Sequence, residues 1–201
     1  MPRKSKLVWT AQQIESKLQA IINLPEYRIK EFLSICEFKL HSKNEIIYHY
    51  EHPFDYLGIL LHGAARVYFV DENGEDLNYL LQVEGDAIGD YASFLTGEIS
   101  KAHIQFLLPS AVLYFNKKDF DQLLNSDPFW LAFGKFVSDK AFINAKNRID
   151  ELYFLTPEQR YLNLIKKAPK IIHNIPQKHI STYLGITPQS LSRIRKRLIQ
   201  A

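Results

Sequence analysis

The segment that most constrains this chain is a block of short runs, rich in β-branched and aromatic residues, between Glu45 and Asn116. Ile46-Ile47-Tyr48, Tyr56 to Leu61, Arg66 to Val70, Leu77 to Val83, His103 to Leu108 and Val112 to Phe115 alternate with turn residues. Such side chains suit a pleated, half-buried surface, and runs this short read as strands. Asn73-Gly74 inside Asp71-Glu72-Asn73-Gly74-Glu75-Asp76 marks a hairpin, because both residues tolerate positive φ. Gly63, Glu84-Gly85-Asp86 and Pro109-Ser110 supply further corners. The spacing predicts an antiparallel roll or barrel of about 70 residues.

On either side the hydrophobic period becomes helical. Residues 7 to 40 read as helices: Thr10 can cap a segment with Ile14, Leu18, Ile21 and Ile22 at helical spacing, and a second helix follows Pro25. Cys36 falls on an apolar helix face in this reading and receives no role. As the one cysteine it cannot close an internal disulfide or hold a cluster that needs several thiolates. From Ser126 the pattern is helical again, with Ser126 or Asp127 as cap and Pro128 in the first turn. Phe129, Phe133, Phe136 and Ile143 share one stripe, while Trp130, Val137, Ala141, Ala145 and Leu152 lie about a quarter turn away. Two apolar faces imply a second packing partner, and the same helix of a second subunit is the expected one, through those last five residues.

Charge divides the chain unevenly. Over its 201 residues the net charge is +3, but positions 156–201 hold nine Lys or Arg against the single acid Glu158, a net of +8. The first 155 positions hold 16 bases and 21 acids, a net of −5. A basic block beside an acidic one suggests a polyanion-binding module joined to a body that does not bind the polyanion. The longest nearly apolar stretch, Leu57 to Val70, is interrupted by His62 and Arg66 and is shorter than the ~20 residues a spanning helix needs. The basic start, Pro2 to Lys6, leads into polar sequence rather than the apolar core of a secretory signal. A cytoplasmic protein without a membrane partner is expected.

The basic tail carries the most specific pattern. In Gln177 to Ile194 two short helices meet at Gly185, with Ile180, Leu184, Ile186, Leu191 and Ile194 apolar where crossing helices bury contacts, and small Ser181 at closest approach. Gly185 can take a left-handed turn at low steric cost. Thr187 caps the second helix and Pro188 opens it. Thr187, Gln189, Ser190, Arg193, Lys196 and Arg197, with Lys178 from the first helix, form the candidate DNA-binding set. Gln and Arg can make bidentate bonds to purine edges, while Ser, Thr and Lys can hold phosphates.

Over about residues 20 to 198 the chain resembles the Crp/Fnr superfamily of bacterial transcription regulators. The resemblance rests on Asp55-Tyr56-Leu57-Gly58-Ile59-Leu60-Leu61-His62-Gly63-Ala64-Ala65-Arg66-Val67, on Glu84-Gly85-Asp86-Ala87-Ile88-Gly89-Asp90, and on Tyr183 to Arg195, which is similar to a subgroup of Bacteroidetes-type bacteria. It implies an α+β chain: an N-terminal antiparallel β-roll of the double-stranded β-helix type with flanking helices (1–125), a long dimerisation helix (126–155) and a C-terminal helix-turn-helix domain (156–201) whose β-wing is reduced or absent. The partners it implies are double-stranded promoter DNA, a second copy of the chain and RNA polymerase. It also implies a small-molecule effector in the roll, near Gly89, Asp90, Tyr91, Ser100, Lys101 and Ala102. Cyclic-AMP-binding members carry an arginine for the cyclic phosphate where this chain has Ser100. A neutral hydroxyl cannot replace a planar bidentate donor, so cyclic AMP is disfavoured, and no cofactor is assigned. Lys101 stands beside Ser100, but along an extended segment it points to the other face. Pro188 and Gln189 stand where an Arg-Glu pair is common in the cyclic-AMP type, so a different operator is expected.

Two other readings compete. A cupin-like metal enzyme would draw its ligands from His41, His49, His52 and His62, but no His-x-His occurs, and residues three apart on a strand face opposite sides. A protein-interaction module built on a helix-turn-helix without DNA is opposed by the +8 tail. No Gly-x-Ser-x-Gly elbow supports a hydrolase.

Overall fold

Most strands of this molecule bury side chains toward both faces, which is why they read as nearly unbroken apolar runs, although Leu40, Ile46, Phe69, Val70, Leu77 and Tyr79 stay exposed. The computed structural model describes residues 8–47, 52–169 and 172–200. Two helices, α1 (Ala11–Ile22) and α2 (Glu26–Leu33), precede eight strands: β1 (Cys36–His41), β2 (Ile46–Ile47), β3 (Tyr56–His62), β4 (Ala64–Val70), β5 (Asp76–Val83), β6 (Ala87–Ile88), β7 (His103–Phe106) and β8 (Ser110–Asn116). Helix α3 (Tyr91–Thr96) lies between β6 and β7. After the strands come α4 (Lys117–Ser126), the 27-residue α5 (Pro128–Phe154), α6 (Pro157–Lys167), α7 (Gln177–Leu184) and α8 (Pro188–Gln200).

The strands form two four-stranded antiparallel sheets, ordered β1-β8-β3-β6 and β2-β7-β4-β5. Side chains alternate across a strand, and here each direction meets a different core. Leu60, Val112 and Tyr114 from the first sheet meet Ala65, Val67, Ile104 and Phe106 from the second inside the roll. Leu57, Leu61, Leu113 and Phe115 point the other way, onto Leu18, Ile29, Phe32 and Trp130 of the flanking helices. On the outer face of the second sheet, Ala64, Leu81 and Leu107 continue into a core with Tyr161, Leu164, Ile180, Leu184, Leu191 and Ile194. The C-terminal helices therefore pack directly on the roll.

Local chemistry sets the boundaries. Thr10 and Gln13 form a reciprocal capping box on α1, and Thr156 and Gln159 form another on α6, each cap contributing about 1 kcal/mol. Asp127, rather than Ser126, caps α5 by accepting from the Phe129 amide, with Pro128 at the first position. The hairpin at Asn73-Gly74 forms as expected between β4 and β5.

Two differences from the sequence reading have physical causes. Residues 36–40 are strand rather than helix, because β1 pairs along its length with β8, from Cys36 opposite Phe115 to His41 opposite Ser110. Cys36 donates to the Phe32 carbonyl, and burial pushes its thiol up to about 12, so it stays protonated. The short β6 lacks any run of β-branched residues and exists through its pairing with Gly58 and Ile59. No helix of the described residues is long and apolar enough to cross a membrane. His49, a ligand candidate in the sequence, the basic start at Pro2 to Lys6 and Lys170 lie outside the described residues.

Candidate nucleic-acid interface and effector cassette

The C-terminal pair of helices is built as its sequence dictates. Helix α7 buries Ile180, Ser181 and Leu184, and Ser181 has no exposed surface. Its chain reverses through Gly185 at φ +68, where the amides of Gly185 and Ile186 donate to the carbonyls of Thr182 and Ser181 at 3.1 and 3.0 Å. No atom lies within 4 Å of a Cβ placed on Gly185, so the glycine answers a backbone requirement rather than a lack of room. The Thr187 hydroxyl accepts from the Ser190 amide at 3.2 Å and caps α8. Leu191 and Ile194 face inward and are buried, whereas Gln189, Arg193, Lys196 and Arg197 are exposed. Gln189, Arg193 and Lys196 are four and three residues apart, so they lie on one stripe of α8. Ser190 is half-buried beside Thr187, its hydroxyl 3.1 Å from that of Thr187. Lys178 is exposed on α7. The seven residues singled out in the tail thus lie on one helix pair and its turn.

Fewer of the tail's cations are free than the sequence count suggests. Arg160 is buried, Lys167 pairs with Asp86 at 3.0 Å, and Arg197 pairs with Glu158 at 2.7 Å. Among the described residues Lys166, Lys178, Arg193 and Lys196 are exposed and form no ion pair with a carboxylate. His179, turned toward the roll, is held neutral: burial first, then the nearby Arg66 and Lys178 charges, push it down to about 4.

The cassette between β6 and β7 is arranged differently. Asp90 caps α3, its Oδ1 accepting from the amides of Ala92 and Ser93 at 3.1 and 3.3 Å. Its Oδ2 accepts from the Ser100 hydroxyl at 2.7 Å, and the Ala102 amide donates to the Ser100 hydroxyl oxygen at 3.0 Å. Ser100 and Ala102 are buried while Lys101 between them is exposed, the alternation expected of extended chain. Gly89 sits at φ +132, and a Cβ there would lie 2.7 Å from Leu57 Cδ2, so only glycine fits. Tyr91 does not point into the roll. It packs with the outer core, its hydroxyl 2.8 Å from that of Ser138, and lines a groove of about 610 Å³ between α3, α4 and α5. The cassette holds no guanidinium, and Asp90 is engaged by the α3 amides and by Ser100.

Inside the roll, His41 stacks on Phe106 at 4.1 Å, with Nδ1 2.7 Å from a Glu45 carboxylate oxygen and Nε2 3.0 Å from the Tyr114 hydroxyl. His52 and His62 lie elsewhere and are exposed.

The long helix requires a correction. Trp130 cannot serve as an interface residue: it has no exposed surface, stacks on Phe32, and donates from its indole to Glu31 at 2.9 Å. Val137 and Ala141 are half-buried, and Ala145 and Leu152 are exposed. An apolar seam open to solvent runs through Leu131, Phe142, Ala145, Ile149 and Leu152, keeping Ala145 and Leu152 of the expected set. From Phe142 on, these positions follow the three-four spacing of a heptad, while between Leu131 and Phe142 that spacing falls on Lys135 and Ser138. The difference arises because the first turns of α5 are embedded in the chain's own core, which no helical period reveals.

Four residues that hold the C-terminal helices escaped the sequence reading: Arg66, Asn78, Arg148 and Arg160. The available signal was a charge inside an apolar strand run, as at Arg66 between Ala65 and Val67.

Comparison with known proteins agrees with this geometry. Residues 38–127 match the cyclic nucleotide-binding domain. The fold over most of the chain is shared with solved structures of low sequence identity. FixK2 from Bradyrhizobium japonicum superposes with a TM-score of 0.71 at 16% identity, covering 83% of this chain and 85% of that one. CLP from Xanthomonas campestris, described as a c-di-GMP responsive global regulator, gives 0.65 at 12% identity over 88% and 92%. A CooA variant from Carboxydothermus hydrogenoformans gives 0.63 at 19% identity over 91% and 84%. No curated protein matches the chain by sequence.

Proposed function

We propose that this chain is a sequence-specific DNA-binding transcription regulator that works as a homodimer on palindromic sites, and not as an enzyme. The observation that carries the reading is the exposed stripe Gln189, Arg193 and Lys196 on α8, presented behind a capped turn on a cyclic-nucleotide-type roll. In this reading α7, Gly185 and α8 form a helix-turn-helix, and α8 enters the major groove. Arg193 and Gln189 read base edges, while Thr187, Ser190, Lys178, Lys196 and Arg197 hold the backbone.

A second copy covers the seam of α5. Pairing through Leu131, Phe142, Ala145, Ile149 and Leu152 places two α8 helices on one face of the duplex, and successive major grooves there are about 34 Å apart. Phosphate neutralisation by the exposed bases supplies non-specific affinity and makes it fall with salt. RNA polymerase is the partner through which a bound dimer alters transcription. An effector acts only by binding two arrangements of the dimer unequally, and the Asp90–Ser100 pairing argues against a cyclic nucleotide in that role.

Selection of bound fragments from random duplex DNA, followed by fluorescence polarisation, tests the reading. A palindromic consensus bound by a dimer is expected. A monomer that ignores duplex DNA at low ionic strength overturns it.

A further inference from the structure

The four terminal carbonyls of a helix have no partner within it, and in α7 all four are accounted for. Those of Ser181 and Thr182 accept from the turn amides. The Tyr183 carbonyl accepts from the guanidinium of Arg148, which reaches over from α5 and lies 3.9 Å from the centre of the Tyr183 ring. The Leu184 carbonyl accepts from Arg160 Nη2 at 2.8 Å. Arg160 Nη1 meanwhile donates to the Leu155 carbonyl at 2.8 Å and to those of Glu151 and Leu152 at 3.3 Å. One guanidinium thus joins the C-terminal ends of α5 and α7, the end of a helix where positive charge is favoured. Arg148 and Arg160 are 8% and 9% exposed, so neither is available to a phosphate.

Helix α7 is also held from the roll. Asn78 on β5 donates from Nδ2 to the His179 carbonyl at 2.9 Å and to the Thr182 hydroxyl oxygen at 2.5 Å. Its own carbonyl oxygen is fixed by Arg66 Nη1 at 2.9 Å, and Arg66 is in turn seated on Asp76 at 2.6 Å and Gln105 at 2.8 Å.

We propose that Arg148, Arg160 and Asn78 are positioning residues that fasten α7 to the long helix and to the roll at once, and so fix the orientation of α8. The consequence for DNA rests on the function proposed above, whereas the fastening itself does not. In a dimer paired through α5, the separation of the two α8 helices is then set by three buried side chains that never touch DNA. Their loss weakens specific binding through misplacement, without removing a phosphate contact.

The test compares Arg148→Met, Arg160→Lys and Asn78→Leu in the full chain. Amide exchange over residues 181–187 is expected to accelerate in each while the amides of β3 and β8 keep their protection. Affinity for the selected duplex should fall at least about fivefold, within the usual range for coupling between sites, and the slope of log affinity against log salt should stay unchanged. A slope reduced by about one would make the arginines phosphate ligands and overturn the proposal, as would unchanged exchange and affinity. Should the wild-type chain bind no DNA, the function fails, and the exchange measurement alone decides the fastening.

Discussion

The cassette at Asp90 and the stripe on α8 are both polar centres placed by short helices, yet they treat their polar groups in opposite ways. Asp90 uses one oxygen to cap α3 and the other to receive Ser100, whose hydroxyl in turn accepts from the Ala102 amide. On α8 a threonine caps the helix, and Gln189, Arg193 and Lys196 project into solvent. The lesson is that in the cassette the polar groups satisfy each other, whereas on α8 folding has left them free. Recognition needs polar groups that folding has left free.

Four substitutions would break or sharpen that contrast. The largest effect is expected at Arg193. Arg193→Ala should lose about 1–3 kcal/mol of discrimination at one base pair in each half-site, measured by competition against single-base operator variants. Equal losses on every sequence would mean that Arg193 is not a base reader. Next comes the cassette. Asp90→Ala removes a helix cap and orphans the Ser100 hydroxyl, so the roll should lose about 1–2 kcal/mol in urea unfolding. Calorimetry with cyclic AMP should show no binding to the wild-type chain, whereas Ser100→Arg, which restores a guanidinium and frees Asp90 Oδ2, should bind more tightly than the wild type. Tight binding by the wild type would reverse the contrast. The smallest change is expected from Lys196→Ala, which should weaken all duplexes alike and flatten the salt slope by about one unit. A loss confined to the cognate site would reassign Lys196 to base reading.

The strand block and the helix pair were legible in the sequence for the same reason. Both are specified by neighbours a few residues apart: β-branched runs between turns, and a Thr-Pro cap behind a turn glycine. Strand β1 was misread as helix because its pairing partner lies about 75 positions downstream, and the short β6 was missed because it exists only through β3. The expected stripe included Trp130 because Trp130 and Leu131 are equally apolar. Only the presence of Phe32 and Glu31 against one flank of α5 separates the buried face from the open one.

The basic tail shows the same division more sharply. Its charge count holds whatever the fold, but which cations remain available is decided by contacts from distant segments: Asp86 on Lys167, Glu158 on Arg197, and helix-end carbonyls around Arg160. By itself, then, the sequence determined the order of roll, long helix and basic helix pair, since periodicity, capping and turn chemistry act over one or two turns. Tertiary structure alone decided that Ser100 closes onto Asp90, that Trp130 is enclosed, and that Arg148, Arg160 and Asn78 converge on α7. Hydrogen bonds and burial between residues far apart in the chain depend on where the backbone carries them, and no local pattern encodes that.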